Sequence, residues 1–304
     1  MGWGEYSSDS RSERLYSSAV SKGYRDTEDY MSRKEQVFES RSMNNAMSPH
    51  GITVRESRDS AEHPESLAII IALDVTGSMG TVPHHLVKEG LPKIMEGIIQ
   101  AGIPDPQVLF LAVGDTNYDS APLQVGQFES SDELLDKWLT SVYLEGGGGG
   151  NYGESYHLAW YFAGKHTSID CFEKRKQKGL LFTIGDEPVL ENISKNHIQR
   201  LMGPGQYSDM SAAELLKEAS KMYEVYHIHI AETHSGQRLE TVDRWRQLIG
   251  QSLLIADSHE DVSNIIRDTI LANIKPGKAA HEITTPKKDV SEKSEKPNEE
   301  EILL

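Results

Sequence analysis

Residues 67–80 read LAIIIALDVTGSMG, an apolar run that stops at Asp74 and continues into a loop of small and polar residues. A short, continuous apolar run bounded by turn-forming residues is typical of a strand that is buried on both faces of a parallel sheet. In such sheets, ligands bind beyond the carboxyl ends of the strands, near the point where the strand order reverses. The stretch therefore predicts a buried strand over Leu67–Leu73 and a candidate binding loop directly after it.

Strand-like and helix-like segments alternate from this point to about residue 274. Apolar runs predict further strands over residues 107–113, 179–183, 223–230 and 252–256, with a short edge strand over 122–128. Apolar residues at helical spacing predict helices over 82–101, 132–142, 154–165, 194–202, 211–222, 239–249 and 262–274. Pro92 is expected to bend the first of these helices. The expected fold class is α/β, a doubly wound, mostly parallel sheet flanked by helices, because alternating strands and helices form right-handed crossovers.

The two ends of the chain differ in composition from its middle. Residues 1–63 are rich in Ser, Arg, Glu and Tyr and poor in Leu, Ile and Val, and we expect a flexible region with one short helix over Thr27–Ser40, with Thr27 as its cap. Residues 275–304 contain mainly Lys, Glu, Pro and Ser until the terminal Ile302-Leu303-Leu304, which predicts a disordered acidic and basic tail. The predicted domain spans residues 64–274.

Charge and composition exclude several classes of function. The net charge is −16, which argues against a nucleic-acid partner because phosphate neutralisation requires clustered Lys and Arg. Cys171 is the only cysteine, so an internal disulfide and a Cys-based zinc site are excluded. No apolar stretch approaches the length of a membrane span, and the N-terminal stretch lacks the apolar centre of a signal peptide. We expect a cytoplasmic protein that has no membrane partner.

The loop after the first strand carries oxygen donors at alternating positions. Asp74, Thr76 and Ser78 supply one carboxylate and two hydroxyls, and Gly77 and Gly80 allow the backbone to turn tightly. This donor set suits Mg²⁺ or Mn²⁺ rather than zinc or copper. Local sequence leaves one alternative, a helix N-terminus that Thr76 or Ser78 caps and whose dipole Asp74 complements.

Known catalytic and nucleotide-binding motifs fit the chain poorly. A dehalogenase-type nucleophile needs a second Asp where Thr76 stands, and a G-x-S-x-G nucleophile elbow needs Gly there. Gly148, Gly150 and Gly153 satisfy G-x-G-x-x-G, but the segment before them reads as a helix, whereas a dinucleotide site requires a strand. His227 and His229 alternate on a predicted strand without an acidic or Cys partner at ligand spacing, so packed or surface histidines are expected rather than a zinc site.

DVTGSM resembles the D-x-[ST]-x-S metal-ion-dependent adhesion site (MIDAS) of the von Willebrand factor A family. It lies where that family has it, at the end of the first strand of an alternating β/α domain. The resemblance is to members of bacterial or phage cytoplasmic type and covers about residues 64–274. It implies a bound Mg²⁺ (or Mn²⁺) with oxygen ligands from two further loops.

Two later stretches stand where those further loops are expected. The glycine-rich stretch Gly146–Ser155 occupies the second place, and Asn151 is the expected ligand where the family usually has Thr. Some bacterial and α-kinase-associated members have a nearby Glu, which corresponds to Glu154 and would lie behind the ligands. Asp186 stands at the position of the family's distal Asp, with an expected water-mediated contact to the cation. The implied metal site is therefore Asp74, Thr76, Ser78, Asn151 and Asp186, with Asp115 at its rim.

The resemblance implies a binding module rather than a catalyst. We expect a divalent-cation-dependent adaptor or assembly factor that captures a carboxylate of a protein partner, and the family suggests an AAA+ ATPase of the MoxR type as that partner. Two alternatives stay open. One is a metal-dependent hydrolase or phosphotransfer enzyme with Glu154 or Glu187 as general base. The other is a structural component whose metal stabilises the loops.

Overall fold

The computed structural model describes residues 4–32, 37–103, 105–147 and 152–274. The strands are, in chain order, β1 (Arg55–Ser57), β2 (Leu67–Asp74), β3 (Pro106–Val113), β4 (Leu123–Val125), β5 (Thr167–Ile169), β6 (Gly179–Gly185), β7 (Asn192–Ile193), β8 (Met210–Ser211), β9 (Tyr223–Ile230) and β10 (Leu253–Ala256).

Helices occupy the N-terminal region and the stretches between and after these strands. They are α1 (Ser8–Ser21), α2 (Thr27–Tyr30), α3 (Val82–His85), α4 (Leu91–Gln100), α5 (Asp132–Thr140), α6 (His157–Lys165), α7 (Asp170–Glu173), α8 (Lys195–Met202), α9 (Ala212–Ala219), α10 (Leu239–Ile249) and α11 (Val262–Asn273). A π-helical turn, Leu86–Gly90, joins α3 to α4.

The central sheet has the strand order β10-β9-β6-β2-β3-β4. All neighbours in it are parallel except β4, which pairs antiparallel with β3 at one edge. The chain runs from β2 to one side through β3 and β4 and later returns to β6 on the other side, so the strand order reverses between β2 and β6. The predicted fold class, a doubly wound and mostly parallel sheet flanked by helices, is confirmed.

Alternate residues of β2 enter two separate cores, as the pleat of a strand requires. Ile69 and Ile71 pack into a core that includes residues of α4 and α11. Ala68 and Ile70 pack into a core that includes residues of α6 and α9. All residues of β2 are buried, which explains the unbroken apolar run in the sequence.

The predicted helix within Thr27–Ser40 is wrong in its extent. Helix α2 ends at Tyr30, residues 38–40 are not helical, and residues 33–36 lie outside the described part of the chain. Its N-cap is Asp26, not Thr27, because the Asp26 carboxylate accepts the backbone N–H of Asp29 at 2.8 Å. The predicted tail over residues 275–304 also lies outside the described residues.

Helix α1 lies in the region expected to be flexible and was not predicted from the sequence. Its buried residues are Arg11 and Ala19, and ion pairs make the specific contacts. The Arg11 guanidinium, buried with 6% exposed, donates from Nε to both carboxylate oxygens of Asp136 at 3.0 Å. Arg14 adds ion pairs to Asp132 at 2.9 Å and to Asp136 at 2.8 Å. These contacts fasten α1 to α5, although motion elsewhere in residues 1–63 stays a prediction.

Arg11 also compensates for Pro92. In a π-helical turn, the carbonyl of Val87 would accept the N–H of residue 92, five positions later. Proline has no N–H, so this carbonyl needs another donor. Arg11 Nη2 donates to the Val87 carbonyl at 2.8 Å. Helix α1 is thereby tied to the helical segment that follows the candidate binding loop.

None of the helices described in these ranges combines the length and the hydropathy of a membrane-spanning segment.

We expect Arg11→Ala to lower the free energy of unfolding by about 3 kcal/mol, because it leaves Asp136 without its buried partner and the Val87 carbonyl without a donor. Urea denaturation of the full chain would measure the change. Arg25→Ala is the matched control, because Arg25 forms a solvent-exposed ion pair with Asp26. This substitution should leave the free energy of unfolding unchanged. Equal stabilities of the Arg11 and Arg25 variants would contradict this account of α1.

Candidate metal centre

The predicted binding loop folds around the carboxylate of Asp74, the last residue of β2. Asp74 is fully buried, and its Oδ1 accepts the backbone N–H of Thr76 at 2.9 Å and the Thr76 hydroxyl at 2.6 Å. Thr76 Oγ1 lies 3.3 Å from Ser78 Oγ. Thr76 does not cap the 3₁₀ turn that follows it, and α3 has no side-chain cap. The hydroxyls of this loop therefore do not cap a helix.

Asp186 meets this loop from the neighbouring strand. It follows β6 directly, is fully buried, and accepts the Ser78 hydroxyl on Oδ1 at 2.9 Å. Its other oxygen, Oδ2, is buried and has no hydrogen-bond partner among the described residues. A chain of oxygen atoms thus runs from Asp74 through Thr76 and Ser78 to Asp186, at the switch point of the sheet.

The start of the glycine-rich loop also reaches the site. Gly77 donates its N–H to the Gly147 carbonyl at 2.6 Å, and Gly146 donates to the Val75 carbonyl at 3.4 Å. A Cβ on Gly77 would lie 3.0 Å from the Gly146 carbonyl oxygen and 3.1 Å from that of Gly147, so this approach requires glycine. Asn151 lies outside the described residues, and its role as a ligand stays a prediction.

The buried carboxylates at the site repel one another. Burial, with the charge of Asp186, raises the pKa of Asp74 to about 7. Burial raises the pKa of Glu154 to about 10, with the charges of Asp74 and Asp115 adding to the effect. Glu154 is 6% exposed, and its Oε2 has no partner among the described residues. A bound cation would favour the ionised forms of these acids. The donor set and the unpartnered oxygens therefore fit a hard divalent cation.

Tyr156, which was not predicted from the sequence, contacts Asp74 on the side away from the binding loop. Its hydroxyl donates to Asp74 Oδ2 at 2.6 Å and accepts the backbone N–H of Glu187 at 3.4 Å. The ring lies so close to Gly185 that a Cβ there would be 1.9 Å from the tyrosine oxygen. With both carboxylate oxygens of Asp74 hydrogen-bonded, its orientation is fixed from two sides, the kind of support that metal ligands commonly receive.

The other candidates lie beside the centre. Asp115 follows β3, and its Oδ1 accepts the backbone N–H of Asn117 at 2.8 Å, while its buried Oδ2 is without a partner in the described ranges. His227 stacks on Trp245 with ring centroids 3.6 Å apart, and His229 donates to the Gly236 carbonyl at 2.8 Å. Both histidines are packed, as expected.

Within the described part of the chain, no group of three or more His, Cys, Asp or Glu residues could hold a metal ion. The candidate centre differs from such a group because two of its predicted donors, Thr76 and Ser78, are hydroxyls.

No protein-family model and no curated protein matches the chain. Among solved structures it is similar to proximal thread matrix protein 1 from the mussel byssus, at 11% identity and a TM-score of 0.43, over 67% of this chain and 47% of that chain. It is similar to the pilus adhesin SpaC from Lactobacillus rhamnosus GG, at 14% identity and a TM-score of 0.45, over 71% of this chain and 30% of that chain.

A third similar structure is a von Willebrand factor type A protein from Catenulispora acidiphila, at 11% identity and a TM-score of 0.38. That match covers 75% of this chain and 50% of the other. The chain thus spans half or less of each of these three proteins.

We expect Tyr156→Phe to weaken Mg²⁺ binding about tenfold, because Asp74 loses the donor that orients it. Titration of Mg²⁺ by calorimetry would measure the affinity. Tyr223→Phe is the matched control. It removes a second buried tyrosine hydroxyl, hydrogen-bonded to Thr167 at 2.7 Å where β9 begins, at the end of the parallel strands opposite to Asp74. Equal Mg²⁺ affinities in the two variants would refute a positioning role for Tyr156.

The raised pKa of Asp74 predicts a pH-dependent stability for the metal-free protein. The folded state holds this proton up to about pH 7, whereas the ordinary pKa is 3.8. Between these values the folded state binds more protons than the unfolded chain, so the free energy of unfolding falls as the pH rises from about 4 to about 7. Saturating Mg²⁺ should reduce the fall, because the cation stabilises the ionised carboxylate.

Urea denaturation at several pH values, in EDTA and in Mg²⁺, tests this prediction. The Asp74→Asn variant cannot ionise at this position. In EDTA its free energy of unfolding should fall less steeply with pH than that of the parent, and Mg²⁺ should not change it. Parallel pH profiles for the parent and Asp74→Asn would contradict it.

Proposed function

We propose that this protein is a divalent-cation-dependent protein-binding module, an adaptor or assembly factor that captures a carboxylate of its partner through Mg²⁺ (or Mn²⁺). One observation carries the proposal. Asp74, Thr76, Ser78 and Asp186, which the MIDAS resemblance selects from two separate loops, lie in one continuous chain of hydrogen-bonded oxygens.

The donor set supports binding rather than turnover. Asp74, Thr76, Ser78 and Asp186 would hold the cation, with Asn151 supplied by the glycine-rich loop. When bound, the cation supplies an electrophilic coordination position that favours an anionic ligand, and an acidic side chain of a partner protein meets that requirement.

The resemblance to bacterial and phage members extends the proposal to a cytoplasmic setting. There we propose an AAA+ ATPase of the MoxR type as the partner. The net charge of −16 supports contact with a protein rather than with a nucleic acid.

A binding assay with defined probes tests the proposal. Short peptides that contain a central Glu, and matched peptides with Gln in its place, would be titrated onto the full chain with Mg²⁺ or with EDTA. We expect only the Glu peptides to bind, only with Mg²⁺, and Asp74→Ala to abolish binding. Asp243→Ala is the matched control, since Asp243 lies on the surface of α10, where it forms an exposed ion pair with Arg246. Peptide binding that survives both EDTA and Asp74→Ala would overturn the proposal.

The same samples distinguish the two alternatives. A structural metal would raise the melting temperature with Mg²⁺ while no Glu peptide binds. A hydrolase would turn over a phosphoester with Mg²⁺, and Glu154→Gln would abolish that turnover.

A further inference from the structure

A cavity of about 500 Å³ opens beside the candidate metal centre. This volume falls in the range of about 300–1,000 Å³ that ligand-binding clefts occupy. Its walls come from the binding loop and α3, including Thr76 and Pro83, from the segment just before the glycine-rich loop, and from the N-terminal region, including Phe38, Glu39 and Arg41.

The backbone of the N-terminal wall is anchored to the domain. Val37 and Phe38 are buried in the core beneath it, with 6% and 7% of their surfaces exposed. Farther back, the carbonyl of the buried Met31 accepts from His84 Nε2 of α3 at 2.9 Å. The Ser40 hydroxyl donates to the Ser141 carbonyl at 3.5 Å. Arg41 therefore extends from a fixed segment rather than from a free strand.

The two charged residues in the cavity wall differ in their partners. Glu39 forms an ion pair with Lys22 of α1, which offsets its negative charge. Arg41 is exposed and has no acidic partner among the described residues. A divalent cation would be balanced formally by the carboxylates of Asp74 and Asp186. The positive charge left on the cavity wall is then that of Arg41, whose planar guanidinium is suited to a carboxylate.

We propose that Arg41 is a specificity-determining residue and that the ligand is a peptide segment with two acidic side chains on one face. The first carboxylate binds the cation, and in this step the inference rests on the proposed function. The second pairs with Arg41. In an extended chain, acidic residues two positions apart face the same side. Phe38 and Pro83, both largely buried, line the same cavity with apolar atoms.

A double-mutant cycle tests this pairing. The parent and Arg41→Ala would be titrated, in Mg²⁺, with peptides carrying Glu-Ala-Glu, Glu-Ala-Gln, Gln-Ala-Glu or Gln-Ala-Gln. We expect Glu-Ala-Glu to bind the parent about fivefold more tightly than either peptide with one Glu, a gain typical of a partly exposed ion pair. Arg41→Ala should lose that gain and bind Glu-Ala-Glu and the better single-Glu peptide equally.

Two controls separate this inference from the proposed function. Arg41→Glu should lower the affinity for Glu-Ala-Glu further than Arg41→Ala does, whereas Arg246→Glu, the same charge change on the surface of α10, should leave it unchanged. If Asp74→Ala abolishes binding but the parent and Arg41→Ala prefer Glu-Ala-Glu equally, the pairing with Arg41 is wrong and the metal-dependent function stands. If Asp74→Ala leaves binding intact, the proposed function fails, and this inference fails with it.

Discussion

Two buried carboxylates at the carboxyl ends of adjacent parallel strands set the constraints on this site. Leu73 of β2 is in register with Ile184 of β6, so Asp74, one residue after Leu73, and Asp186, two residues after Ile184, emerge close together at the switch point. Burying two like charges together is unfavourable unless protons, hydrogen bonds or a cation compensate. Hydroxyls of Thr76, Ser78 and Tyr156 supply part of that compensation. An arrangement that works against the stability of the metal-free fold is typical of a functional site.

The glycines around the site follow from the same constraint. Gly77 lets the start of the glycine-rich loop approach the backbone of the binding loop to within a hydrogen bond, and Gly185 makes room for the Tyr156 ring beneath the carboxylates. Tyr156 in turn packs against His227 and Trp245, with ring centroids 5.2 and 5.6 Å apart. Aromatic packing of this kind holds the phenol in one position, so Asp74 receives its hydrogen bond without a further loss of side-chain entropy.

Sequence patterns predicted the elements whose stability comes from apolar burial. Tyr223–Ile230 and Leu239–Ile249 form a strand and a helix with the predicted bounds, because their burial follows the period of each structure. Helix α1 could not be predicted this way, since its buried residues are Arg11 and Ala19 rather than an apolar stripe. Tyr156 was missed for a related reason. Its contact with Asp74 joins residues 82 positions apart and leaves no local pattern.

The N-terminal region contacts the site even though its composition differs from that of the domain. Arg11 reaches Asp136 of α5 and the Val87 carbonyl that Pro92 leaves without a donor, and the chain then passes α3 and forms one wall of the cavity. A low content of Leu, Ile and Val therefore did not show whether this region is attached to the domain. It is attached through the guanidinium and carboxylate groups of α1 and α5 and through a few buried apolar residues such as Val37 and Phe38. Arg11 contacts the π-helical turn, which directly follows α3, the first helix after Ser78. Helix α1 is therefore connected through this turn and α3 to the backbone that carries the loop hydroxyls.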